Sequence, residues 1–521
     1  MTAEHTQTVA PRLTLQGISK RYAGVVANDG IDLQVSAGEI HAVLGENGAG
    51  KSTLMKIVSG VTRPDAGRIE WDGHPVVFHG PADARRLGIA MVFQHFSLFE
   101  TLTVVQNIAL ATYERMTMAQ LAARITGIST RYGLPIDPHR LVHSMSVGER
   151  QRVEILRCLL QQPKLLILDE PTSVLAPQAV RLLFETLRRL AHEGMSILYI
   201  SHKLDEIREL CDTATVLRNG VVVGTAVPRE QSNAGLARLM VGRELPVCHL
   251  EARAPGAVQL ELINLSRTAD DPFGTSLRAL YLRVRAGEIV GIAGVSGNGQ
   301  KELQSAVSGE TPLQEADAIR LCGQQAGRLT VSARRAMGLR FVPEERLGRG
   351  AVPDMSLTDN CILTGARAAG IHDGFVRRGL LQRRAARAFA RETIDQYAVK
   401  CKGEQSLAAS LSGGNLQKFI VGREIRLAPR VMLVAQPTWG VDINASLRIR
   451  QALIDLRNQG AAVLVISEDL DELYMICDRL AVVAAGRLSP ALPTAQLPPD
   501  TVGVWMTGEF DAATALDGHA G

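Results

Sequence analysis

The chain has 521 residues, 46% hydrophobic and 21% charged, with 57 basic against 53 acidic side chains and a formal net charge of +4. That length exceeds one ordinary hydrophobic core and implies two or more domains, and the composition excludes wholesale disorder. The charges are well mixed, without the long basic run of a nucleic-acid binder, so no nucleic-acid partner is expected.

The opening stretch, MTAEHTQTVAPRLTL, lacks a basic segment ahead of an apolar one and does not read as a signal peptide. No run of about 18 apolar residues follows anywhere, so any role at a membrane is expected to work through a partner. The seven cysteines are scattered without a CxxC pair, which points to free thiols in a reducing compartment.

His41–Leu44 is a short apolar run that reads as a buried strand. It leads into Gly45-Glu46-Asn47-Gly48-Ala49-Gly50-Lys51-Ser52, which fits G-x-x-x-x-G-K-[ST] between a predicted strand and a predicted helix. The glycines let backbone N–H groups turn inward around phosphate oxygens, and the following helix adds its positive end. Lys51 supplies a mobile positive charge, and the Ser52 hydroxyl suits Mg2+. Glu149–Leu160 reads as a helix, with Val153, Leu156 and Leu160 on one face. Leu165–Leu168 is a second buried strand, and Asp169-Glu170 stands at its C-terminal end, where parallel sheets place ligands. Asp169 would hold Mg2+ and Glu170 would polarise an attacking water. Ile197–Ile200 is a third strand. Strand and helix alternate, which indicates an α/β fold with a mostly parallel sheet.

The chain then repeats itself. Gly38-Glu39-Ile40 recurs as Gly287-Glu288-Ile289, Pro171-Thr172 as Pro437-Thr438, and Cys211-Asp212 as Cys477-Asp478. The boundary falls in Leu250–Val258, giving domains 1–250 and 251–521. The second copy keeps the glycines but not the chemistry. Gln300 stands for Lys51, Lys301 for Ser52, and Ala435-Gln436 for Asp169-Glu170. A neutral amide brings no phosphate-pairing charge, and a protonated lysine has no lone pair for a metal.

These motifs resemble the ATP-binding-cassette (ABC) family over Leu13 to about Gly508. Met145-Ser146-Val147-Gly148-Glu149 resembles its signature loop, usually LSGGQ, with two departures. Leu411-Ser412-Gly413-Gly414-Asn415 is closer to the pattern. Gln94 corresponds to the family's Q-loop, His202 to its switch histidine and Tyr22 to the aromatic that stacks on adenine; in the second copy Glu344 and Glu468 replace the first two. The resemblance implies tandem P-loop NTPase domains, each a mostly parallel sheet with an antiparallel β subdomain and a helical subdomain. It implies ATP and Mg2+ as cofactors. Lys51, Gln94, Glu170 and His202 would form the catalytic set, and Ser52, Gln94 and Asp169 the metal set. Tyr22, Gly45–Ser52 and Thr53 would bind ATP.

In the family two cassettes pair head to tail. This implies that Ser412, Gly413, Gly414, Asn415 and Asp442 complete the first site, whereas the second joins Gln300, Ala435, Gln436 and Glu468 to the altered loop 146–149 and Ala176. Every intact part then falls in one site and every degenerate part in the other.

A fused pair with a degenerate second half resembles the ATPases of bacterial importers for simple sugars and nucleosides. Those work with two transmembrane permease subunits and an extracytoplasmic solute-binding protein. The resemblance implies a peripheral place on the cytoplasmic face of the inner membrane, touching it only through the permeases. Phe96, Leu98, Phe99 and Leu102 suit a groove for a permease helix, or equally a core. Gln94-His95-Phe96, Val147–Arg152 and Glu170–Pro177 resemble the nucleoside-type branch more than the ribose or galactose branch. The alternative is a soluble tandem-cassette ATPase acting on ribosomes or nucleic acid; such proteins normally keep both sites intact and join them by a long charged linker.

Overall fold

A computed structural model describes residues 11–510, apart from 23, 94–96, 113–115, 146, 173, 174, 176, 243–249, 252, 270–273 and 367–373. The chain divides into two compact units, Met1–Leu245 and Pro246–Gly521.

In the first unit the central sheet runs in the order Val221–Ala226, Thr213–Arg218, Ile40–Gly45, Ser196–Ile200, Leu165–Asp169, Ile89–Val92. Only its edge strand Val221–Ala226 is antiparallel to its neighbour. The central strands are buried on both faces, as near-continuous Val, Ile and Leu runs require. Val43 pairs with Ile200, Ile200 with Asp169, and Val92 with Leu168. This register brings the carboxyl ends of four strands to one edge. A second, antiparallel sheet is built from Val25–Val35, Leu13–Tyr22, Ala66–Trp71 and His74–Val76. One apolar core, including Leu15, Ile31, Leu54, Ile57, Ile167 and Leu198, joins both sheets to the helix Lys51–Val58.

A separate cluster holds a helical subdomain. Val105 and Ile108 of helix Val104–Ala109, and Leu121 and Ile125 of helix Met118–Tyr132, pack with Val153 of helix Val147–Leu159. The first two helices start on capping boxes at Thr103 and Thr117. The third begins at Val147, two residues before the sequence-based start at Glu149, so the altered signature residues lie in its first turn. Arg140 holds that turn through a 2.6 Å ion pair with Glu149.

The second unit repeats the plan. Its sheet runs Leu339–Val342, Val431–Ala435, Ala462–Ser467, Glu288–Ala293, Arg479–Ala484, Arg487–Leu488, with Leu492–Pro493 also paired to Arg479–Ala484. An antiparallel sheet of Leu277–Arg285, Val258–Arg267, Ile319–Leu321 and Gln324–Gln325 shares its core. Helices Leu357–Gly365, Arg383–Gln396 and Gly413–Arg426 form the helical part. Among the described residues, no helix is long and apolar enough to cross a membrane, and the six described cysteines are free.

Candidate functional site

The phosphate loop of the first unit is wrapped by backbone that only glycine permits. A Cβ on Gly45 would lie 2.4 Å from the Leu217 carbonyl, and one on Gly50 would lie 2.3 Å from that of Ala27; both have positive φ. Gly50 caps the helix Lys51–Val58 in the left-handed conformation, with no side-chain cap, so the helix N-terminus is turned toward the loop. Lys51 folds back over it. Its Nζ donates to the carbonyls of Gly45 at 2.5 Å and Glu46 at 3.1 Å. Burial pulls the Lys51 ammonium below its usual pKa, while Glu170, Asp169 and Glu46 oppose that pull. The same carboxylates that favour its charge therefore surround it. Ser52 and Asn47 are exposed, and Thr53 is half-buried.

Asp169 ends its strand and Glu170 follows with φ 49°, its N–H bonded to the Ile200 carbonyl at 2.8 Å. This left-handed kink, unusual for a non-glycine residue, is the strain that turns Glu170 off the sheet edge. Nδ1 of His202 lies 3.1 Å from Oε1 of Glu170. Burial pushes the Glu170 carboxyl up, but the hydrogen bond and charge of His202, with Lys51 and Lys203, outweigh it and hold the group below its usual pKa. Lys51, Asp169, Glu170 and His202 thus converge. Tyr22 is 47% exposed at the end of its strand and pairs with Val25, at the head of the strand that passes Ala27 beside Gly50. Gln94 and Phe96 lie outside the described residues, as do Ser146 and Ala176. Of the other proposed permease-facing residues, Phe99 is 60% exposed, whereas Leu98 packs against the helical cluster.

The second unit has the same scaffold with altered contents. Gln436 repeats the kink of Glu170, with φ 47° and its N–H on the Ile466 carbonyl at 2.8 Å. Gln300 donates to the Val295 carbonyl at 2.8 Å, the loop position that Lys51 reaches at Glu46. The amide therefore keeps the lysine's structural bond without its charge. Lys301 points to Glu345 at 3.6 Å. These residues line a cleft of about 700 Å³ together with Glu344, Gln436 and Glu468.

Ser412 stands at the N-cap of helix Gly413–Arg426 without capping it; its Oγ takes the Asn415 amide at 2.9 Å, and Asn415 in turn accepts the Lys400 N–H. Asp442 caps helix Ile443–Asn458 through the Ala445 N–H at 2.8 Å, a structural role the sequence did not reveal. Sequence reasoning also missed Arg346. Its guanidinium bonds the Trp439 carbonyl and sits against Gly413, where a Cβ would be 2.6 Å from it. The positive φ values and Arg346 carry no local sequence signal.

The family model described as ABC transporter matches residues 28–173. The chain is 40% identical to the glucose import ATP-binding protein TsgD13 of Haloferax volcanii, covering 98% of each. It is 40% identical to the guanosine import ATP-binding protein NupO of Bacillus subtilis, over 95% of this chain and 97% of that one. It is 38% identical to the ribose import ATP-binding protein RbsA 1 of Rubrobacter xylanophilus, over 96% and 99%. Among solved structures, an archaeal ribosome recycling factor, aABCE1, in complex with the stalk protein aP1, matches 92% of the chain with TM-score 0.62 at 17% identity, a likeness of fold alone.

Proposed function

The chain belongs to the ABC transporter family of import ATP-binding proteins, and from that premise we propose that it has one hydrolytic site and one non-hydrolytic site. It is an ATPase coupled to transport, which binds ATP. The observation that carries the asymmetry is the convergence of Lys51, Asp169, Glu170 and His202 on one phosphate loop, against Gln300, Ala435, Gln436 and Glu468 on the other.

In the hydrolytic site the loop N–H groups and Lys51 hold the phosphates of ATP, and Tyr22 stacks on the base. Glu170, ionised and oriented by His202, accepts a proton from the attacking water. Ser52, exposed beside Lys51 in the chain, and Asp169, whose charge acts on Lys51, offer hard oxygen donors, a donor set that fits Mg2+; Gln94 would be a further ligand. The ion, when bound, neutralises phosphate charge. Residues 1–250 and 251–521 act as the two cassettes, and Ser412, Gly413, Gly414, Asn415 and Asp442 of the second complete the site of the first.

The partners are two membrane permeases fed by a solute-binding protein, with this chain peripheral on the cytoplasmic face. The cargo is a neutral nucleoside or simple sugar, with the nucleoside branch preferred. The relatives' names include glucose, guanosine and ribose, which share a polyhydroxylated ring. The ribosome or nucleic-acid alternative is not favoured by full-length relatives that are import proteins. The test is ATP turnover by the chain reconstituted with its permeases, with a binding screen of pentoses, hexoses and nucleosides on the partner binding protein. Stimulation by sugars and not nucleosides would overturn the branch preference; association with ribosomes in place of permeases would overturn the importer reading.

A further inference from the structure

In the second unit an internal carboxylate lines the cleft at the phosphate loop. Ser296, the counterpart of Asn47, lines the same cleft as Glu468, and its N–H and hydroxyl favour the ionised Glu468 carboxyl against the pull of burial. Glu468 is itself held in place: its N–H donates to Gln436 Oε1 at 3.3 Å, and Ser467 Oγ reaches the same oxygen at 3.5 Å. Two carboxyls, Glu468 and Glu344, thus face the end of the cleft where the first unit has His202 beside Glu170. Burial, and then the Glu344 charge, push the Glu468 carboxyl up to about 7.

The position matters because a terminal phosphate in the first unit must lie between the loop and Glu170. In the second unit Glu468, at the position of His202, and Glu344 line the cleft beside the loop. Toward the helix Gln300–Ser308 the cleft stays open, lined by Gly297, Lys301, Ser305 and Thr311. One loop N–H on that side, of Asn298, is taken by Gln300 Oε1 at 3.1 Å, and a side-chain rotation of Gln300 releases it. Lys301 replaces Ser52 in the sequence and lines the cleft, its ammonium 3.6 Å from Glu345, so a phosphate there meets a cation supplied by the chain.

We propose that Glu468 makes the second cleft selective for a nucleoside diphosphate over a triphosphate, by standing in the place of the terminal phosphate. The inference rests on the reading of this cleft as a nucleotide site. It goes beyond loss of catalysis, because the missing base and metal ligand would leave triphosphate binding possible.

The experiment measures equilibrium binding of ADP and of a non-hydrolysable ATP analogue to the full chain carrying Lys51→Ala, which disables the first cleft. ADP is expected to bind the more tightly. Adding Glu468→Ala should raise affinity for the ATP analogue about tenfold or more, the scale of removing a like charge in a half-buried site, while ADP changes by less than about threefold. In the chain with Glu468→Ala alone, the number of ATP analogues bound should rise from one to two, which keeps the test usable if Lys51→Ala misfolds. Equal binding of the two nucleotides before Glu468→Ala, an unchanged ratio after it, or no binding of ADP by any variant would each overturn the proposal. ATP turnover of the unaltered chain reports on the first cleft; its absence would defeat the hydrolytic assignment and leave the binding ratio readable.

Discussion

Nδ1 of His202 lies 3.1 Å from Oε1 of Glu170, and that contact keeps a mostly buried carboxyl ionised against the pull of burial. It links the residue just past the end of one strand to the residue two beyond the end of its parallel neighbour, so it depends on the sheet register as much as on either side chain.

The first prediction concerns pH. Glu170 is held below its usual value, so its charge is fully present in the neutral range and is lost only as pH falls through that lowered pKa. In His202→Ala the hydrogen bond and the charge that lower it are gone, and burial then raises it. The acid limb of the kcat profile should move to higher pH, together with a drop in kcat of about 10²-fold or more. An acid limb that stays in place would show that His202 does not govern Glu170.

A second prediction follows from the matched kinks at Glu170 and Gln436. Glu170→Gln should reduce ATP turnover by about 10²–10⁴-fold while ATP still binds. Gln436→Ala should leave turnover within about twofold, at a stability cost of about 1 kcal/mol for the lost acceptor of the Glu468 N–H. Steady-state kinetics of the two variants side by side decide it; equal damage would refute the assignment of one hydrolytic site.

A third prediction addresses the signature loop of the second unit. The Arg346 guanidinium spans from the Trp439 carbonyl to the face of Gly413. Arg346→Ala removes that brace, and Ser412→Ala removes the hydroxyl that Asn415 holds. If this loop completes the first cassette's site, both should lower kcat several-fold although they lie in the unit without the base. Nucleotide affinity measured without turnover should change less for Arg346→Ala than its kcat does.

The fourth prediction is about stability. Burial pushes the Glu39 carboxyl up, yet His41, Thr213 and the Ser36 N–H together bring it down to about 2 from an ordinary 4.5. Its folded pKa is depressed, so its contribution is complete above about pH 4.5 and is lost as pH falls toward about 2. Discounted for partial exposure, that contribution is about 1–2 kcal/mol. Glu39→Gln should lower Tm at neutral pH and flatten its dependence on pH below 4.5, read by thermal melts across that range.

Most of the first site was legible because its chemistry is local. Gly45–Ser52 needs only eight consecutive residues between a strand and a helix, and an apolar run ending in Asp169-Glu170 announces a buried strand with carboxylates at its tip. The repeat, and the loss of charge at Gln300, Ala435 and Gln436, are equally matters of residue order. The start of the helix at Val147 was missed by two residues because its first turn is held by Arg140, a contact from outside the helix.

Residue order by itself determined which chemical groups each half possesses. Only the tertiary structure decided what the altered groups do instead. Gln300 keeps a lysine's bond and Glu468 lines a phosphate-loop cleft, while the unaltered Asp442 caps a helix and Arg346 braces Gly413. The physical reason is that a hydrogen bond is set by direction and distance, and folding alone brings Gln436 and Glu468 within reach across the parallel sheet.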